Sequence, residues 1–186
     1  KAAPPAYVRD SRVFERLMKE WYPEVADKLR TAAVVPEAFA SKWFVGLNVH
    51  VLPFRSLFRF FELYLEHGYM YLFRFALQLV AEVQDKILTL GAYDIATMLA
   101  LLRLDPASLP DRNTDPEFFA AALETAASLP LDSELVNQWR AEEAEKVEAK
   151  LAAVRAEEER RKAAGAEESD DEITFSDEDT EDDDDE

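Results

Sequence analysis

The chain has 186 residues, with 39 Asp and Glu against 21 Lys and Arg and no cysteine. That length suits about one domain able to bury a core without staples. The lack of cysteine excludes a disulfide framework, a thiolate nucleophile, an iron–sulfur cluster and a cysteine-ligated zinc. Residues 167–186 carry fourteen acids and no base, so most of the net charge of −18 belongs to one end and the other 166 residues hold 25 acids against 21 bases. A nearly balanced body has no cationic stripe to release counterions from a phosphate backbone or to hold an anionic bilayer, which demotes nucleic acid and membrane surfaces as partners. No uncharged apolar run reaches the ~18 residues of a membrane span. Trp43 to Phe54 is too short, and Gly91 and Asp94 interrupt Ile87 to Leu102. With no secretory pattern at its start the protein is expected to be cytoplasmic, and because it opens on Lys1 it is read as a piece of a longer chain.

Apolar residues recur at intervals of three and four, so an all-α chain is expected. Asp10 and Ser11 are the expected caps of a first helix with Val13, Phe14, Leu17, Met18 and Trp21 on one face. Pro23 opens a second helix that buries Val25 and Leu29. Pro36 opens a third with Phe39, Trp43, Phe44 and Leu47 on one side, followed by a connection from Asn48 to Leu52. Pro53 starts a fourth that stops at Gly68, where an unusual backbone angle costs least. Tyr69 then leads a long fifth helix through Leu72, Phe73, Ala76, Leu77, Val80 and Val83 to about Leu90.

Residues 92–104 form a further apolar helix expected to be buried on most sides. After a polar stretch with Pro106, Pro110 and Pro116, a weaker helix is expected from Glu117 to Ser128. Beyond Pro130, capped at Asp132 or Ser133, a charged helix runs to about Ala164. Its narrow seam of Val136, Trp139, Val147, Leu151 and Val154 either docks on the body or pairs with a partner helix between Leu135 and Val154. The remainder is a solvated helix held by pairs such as Glu142 with Lys146. Residues 165–186 are expected to be a disordered acidic tail, since Ile173 and Phe175 cannot offset the repulsion of its acids. Ser169, Ser176 and Thr180 there precede acids as an acid-directed kinase would accept, although a solubilising tail explains the composition as well.

From Phe39 onward the order of residues is more specific than periodicity. Phe39, Trp43 and Leu47 are followed by Leu52-Pro53-Phe54, then by Leu57, Arg59, Glu62, Leu65 and Gly68, then by Leu72-Phe73-Arg74-Phe75-Ala76-Leu77. This pattern resembles the C-terminal half of a TBC domain, the all-helical module of GTPase-activating proteins for Rab-type small GTPases. With the similar segment Val13 to Val35, the resemblance covers roughly 80 residues. Where the family has Trp-Asp after the Arg, this chain has Phe61-Glu62, and His67 stands where an acid often precedes the Gly. Phe for Trp keeps an aromatic filler and Glu for Asp keeps the charge. Arg59 and Glu62 lie three apart on one helix and can pair, and Leu57, Phe58, Phe60, Phe61 and Tyr64 are expected as core.

The resemblance implies catalysis by an Arg in I-x-x-D-x-x-R and a Gln in Y-x-Q, the first neutralising charge on the transferring phosphoryl group and the second placing water. Neither occurs here. Ile87, Ile95 and Ile173 lack the following Asp and Arg, and none of the six tyrosines has Gln two residues on. Both motifs belong to the family's N-terminal half, so no catalytic residue is assigned. Arg9, Arg12 and Arg16 read as surface charge. His50 and His67 lack metal-ligand spacing, Ser41 and Ser56 lack recognisable His and acid partners, and the four glycines never cluster into a phosphate loop. No metal or cofactor is expected.

The leading reading is therefore part of a Rab GTPase-activating protein, inactive alone, acting in vesicle traffic and reaching endomembranes through its GTPase. The alternative is a non-catalytic TBC-like scaffold. Residues 1–104 are the TBC-like part, 105–164 a helical extension and 165–186 the tail. Removal of half a domain is expected to uncover an apolar patch along Leu17, Trp21, Leu29 and Phe44.

Overall fold

The computed structural model describes residues 4–105 and 116–168, which are helical with no strand. The chain divides into two units, residues 1–148 and 149–186. In the first unit, α1 (Pro5–Trp21) and α2 (Pro23–Thr31) each begin on a proline, whose missing N–H costs nothing in a first turn and whose φ already suits the helix. This moves the start of α1 ahead of the expected caps. Asp10 lies inside the helix and accepts from Arg9, while Ser11 is fully buried. The α1 face of Val13, Phe14, Leu17 and Met18 is buried, and each such side chain contributes roughly 1.5–3 kcal/mol by leaving water.

The stretch from Pro36 is not one helix. A 3₁₀ turn (Pro36–Ala38) is followed by the short α3 (Ser41–Phe44), and Leu47 and Asn48 then take positive φ values of 44° and 59°. The break lets Phe39 and Trp43 both turn onto Phe14, with ring centroids 6.5 and 5.8 Å from it. The helices α4 (Phe54–His67) and α5 (Tyr69–Thr89) follow the expected bounds, joined at Gly68. In α6 (Ile95–Leu102), Met98, Leu101 and Leu102 are buried, but residues 91–97 are exposed. Burial on most sides is therefore corrected to burial of one side, because α6 packs on α5 and presents its first turn to solvent.

α7 (Pro116–Ser128) lies across α5 and α4, burying Phe119, Ala122, Leu123 and Ala126. α8 (Ser133–Glu168) starts at Asp132, whose Oδ1 accepts from the N–H of Glu134 at 2.8 Å. That carboxylate is the expected cap. Within the first unit, Val136 of α8 is fully buried and Trp139 packs on the core cluster. The expected Glu142–Lys146 pair is replaced, since Glu142 takes Arg16 of α1 at 2.6 Å and Lys146 reaches Glu143 at 2.6 Å.

The uncovered surface is not where it was expected. Leu17 and Leu29 are 0% and 1% exposed, and Trp21 and Phe44 pack against the same cluster. α2 folds back on α1 and covers that face, and Phe44 fills the space between Phe14 and Phe73, 5.7 and 5.3 Å away. Exposed large apolar side chains are found instead at scattered positions such as Val45 and Tyr93 and, as a group, on α4. Phe54, Phe58 and Leu65 are 73%, 62% and 82% exposed, so Phe58 is not core.

In the second unit, the described residues continue α8 past Ala164 to Glu168, with the side chains of 152–163 exposed. Ser169, Ser176, Thr180 and the Ile173–Phe175 segment lie outside the described residues.

Candidate functional site

The part of the pattern between Phe54 and Val80 folds as a helical hairpin. Gly68 turns it with φ 64° and ψ −157°, a combination essentially restricted to glycine. Phe60, Leu63, Tyr71, Phe73, Phe75, Leu77 and Val80 point into the core. Phe60 sits 5.6 Å from Tyr71 and 5.5 Å from Phe75 by ring centroid, so the two helices are joined by aromatic packing. Phe61 and Tyr64 stay half-buried at the rim.

The polar residues of the pattern act as fasteners. Arg59 Nη1 donates to Glu62 Oε2 at 3.0 Å, the expected pair. Its Nε and Nη2 also donate to the two carboxylate oxygens of Glu124 on α7, at 2.6 and 3.2 Å. This fork-on-fork geometry is the stronger form of the interaction. It holds the Glu124 carboxyl below its ordinary range and raises the guanidinium further above its own. The buried Tyr71 hydroxyl donates to the carbonyl of Leu123 at 3.1 Å, and burial pushes its phenol up. Arg74 Nη1 donates to the carbonyl of Ala127 at 3.4 Å. Arg59, Tyr71 and Arg74 thus all anchor α7.

A second polar array holds the start of α8. Arg16 donates to Glu142 and lies 4.3 Å from the Trp139 ring centroid. The Glu142 carboxyl is held below its ordinary range, first by Arg16 and then by Gln138. Arg140 donates to Asp10 at 3.0 Å and stacks 4.1 Å over Tyr69. Arg12 pairs with Glu37 at 3.0 Å. The three arginines of α1 are therefore occupied with carboxylates of this chain. Lys28 donates to the carbonyls of Leu88 and Leu90, closing the C-terminus of α5. The sequence reading missed Glu124, Arg140 and Lys28. Their partners lie 65, 130 and about 60 residues away, and no local spacing marks such pairs.

His50 is exposed on the connection and His67 stacks near Tyr71, 6.1 Å between centroids. Among the described residues no group of three or more His, Asp or Glu is placed to hold a metal ion, and no helix is long and apolar enough to cross a membrane. Ser41 is exposed, and Ser56 is buried on α4. The hollow lined by Met18, Leu29, Val34 and Pro36 has about 90 Å³ and that lined by Thr31, Ala33, Tyr93 and Ile95 about 210 Å³, both below the ~300 Å³ at which small-molecule pockets begin.

The family model of the Rab-GTPase-TBC domain matches residues 4–88, the segment from the start of α1 to the end of α5. The TBC domain-containing protein C4G8.04 of Schizosaccharomyces pombe is 32% identical over 79 residues, which are 42% of this chain and 10% of that protein. Growth hormone-regulated TBC protein 1 of Xenopus tropicalis is 30% identical over 79 residues, 42% of this chain and 23% of that protein. The matched stretch thus spans a small part of these relatives. Helices α1 to α5, with their hairpin at Gly68 and its Arg59 fastener, are similar to the Rab-GTPase-TBC domain over a segment that is less than half of the chain.

Proposed function

We propose that this chain is the C-terminal part of a Rab GTPase-activating protein, supplying helices that support the catalytic half of a TBC domain and form part of the surface facing the GTPase. The match of residues 4–88 to the family carries this reading. In it, residues 1–104 are the TBC-like part, 105–164 a helical extension and 165–186 an acidic tail. The partner is a Rab-type small GTPase, met in the cytoplasm at endomembranes, and the process served is vesicle traffic. Val147, Leu151 and Val154 of α8 remain as the seam for a partner helix.

The chain by itself is inactive in this reading. Its sequence has neither I-x-x-D-x-x-R nor Y-x-Q, and the arginines of α1 are paired with acids of the same chain. Without a positioned guanidinium and a water-orienting amide, the developing phosphoryl charge goes unmatched, and such an Arg supplies roughly 10³–10⁵ in rate. Single-turnover hydrolysis by GTP-loaded Rab proteins is expected to run at its intrinsic rate with residues 1–186 added. Acceleration by this chain would overturn the reading. Fusing to it a TBC N-terminal half that carries both finger motifs is expected to create stimulation. A fusion that folds and binds the GTPase but stays inert would favour the scaffold alternative.

A further inference from the structure

We propose that the exposed face of α4 is a self-association surface, on which α4 of a second copy of this chain packs antiparallel. Phe54, Phe58, Phe61 and Leu65 follow one another at intervals of four, three and four residues. That is the spacing of a heptad seam, the pattern by which one helix seats another with knobs in holes. The stripe runs about 16 Å along the helix at 1.5 Å per residue. Three of its four members are the exposed Phe54, Phe58 and Leu65, and Phe61 is half-buried. Phe54 and Phe58 already meet edge to face at 5.0 Å, so part of the ordering cost of docking is met in the single chain.

The flanks identify the occupant. One side of the stripe carries Leu57 and Tyr64, both half-buried, and the other carries the exposed Arg55 and Glu62. In an antiparallel pair, Phe58 of one copy faces Phe61 of the other and Phe54 faces Leu65. Like flanks then meet, so Arg55 of each copy lies beside Glu62 of the other, twice by the two-fold axis. A parallel pair would set Arg55 and Glu62 against Leu57 and Tyr64 instead and strand the charges on apolar groups. Glu62 is compatible with this, being 66% exposed while its Oε2 holds Arg59. The surface is thus complementary to itself in one orientation. α4 has 14 residues, and one pair of such helices is smaller than the standard interface of about 1,600 Å², so the association belongs to the weak class with a dissociation constant on the order of 10 μM.

Sedimentation velocity on residues 1–186 over a concentration series tests this, with circular dichroism confirming that every variant keeps its helix. The chain is expected to shift from monomer to dimer, and Phe58→Glu or Leu65→Glu, both at exposed positions, to weaken the dimer at least ~30-fold. Arg55→Glu and Glu62→Lys are each expected to weaken self-association, because each sets like charges opposite each other. An equimolar mixture of those two variants is expected to regain the dimer, since both cross-pairs become attractive again. A chain that stays monomeric to several hundred micromolar overturns the proposal, as does a dimer unaffected by Phe58→Glu. Failure of the mixed charge variants to recover would overturn the antiparallel arrangement.

Discussion

Gly68 concentrates more of the fold in one residue than any other position of the hairpin. Its φ of 64° with ψ −157° ends α4 and starts α5 without a spacer, which sets Phe60 against Tyr71 and Phe75. A Cβ added there would meet nothing within 4 Å, so the cost of a side chain is one of backbone angle alone. Gly68→Ala is expected to lower stability by about 1–3 kcal/mol with no change in the packed core. Urea denaturation reads this as a lower midpoint at unchanged slope. A variant as stable as the parent would mean that the turn relaxes to another angle. The neighbouring departures from the family wording have a local account. Phe61 keeps an aromatic ring at the rim of Phe60, 5.4 Å between centroids, and Glu62 keeps the carboxylate that Arg59 needs.

At the scale of elements, the first part of α8 is held by a few long-range contacts. Arg16 combines an ion pair to Glu142, a second to Glu143 at 3.4 Å and a ring contact with Trp139. Arg16→Ala removes all three. Amide exchange across residues 136–146 is expected to speed up several-fold, while α4 and α5 keep their protection. Residues 152–163 already expose every side chain and are expected to exchange fast in both proteins. Equal exchange along the whole of α8 in the parent would contradict this division. α7 is fixed differently, by its buried Phe119, Leu123 and Ala126 as well as by Arg59, and does not depend on one side chain.

At the scale of the molecule, one cluster of buried side chains runs from Val13 to Val136. Helices inside and outside the family segment share it, since α7 packs on α5 and α4. Unfolding of residues 1–148 is therefore expected to be cooperative. Leu17→Ala in α1 and Leu123→Ala in α7, both 0% exposed, should each cost about 2–5 kcal/mol and move the same transition. Tryptophan fluorescence is the probe, because Trp21, Trp43 and Trp139 all lie within that unit. Two separate transitions, one answering to each substitution, would show that α7 folds apart from the family segment.

Local signals alone were enough for the helical class, the prolines that open α2 and α4, the turn at Gly68, a cap at Asp132 or Ser133 and the pattern that resembles the TBC family. These are properties of period, backbone angle and short spacing, and each is written within a few residues of where it acts. The crossing of distant helices decided that Asp10 serves Arg9 and Arg140 rather than a helix cap, that Arg59 reaches Glu124, and that α2 covers Leu17 and Leu29. It also decided that Phe54, Phe58 and Leu65 remain in solvent. An apolar residue at helical spacing states that a face seeks cover, but which helix arrives to cover it depends on how distant elements cross. That crossing left α4 with a bare stripe where periodicity alone reads core.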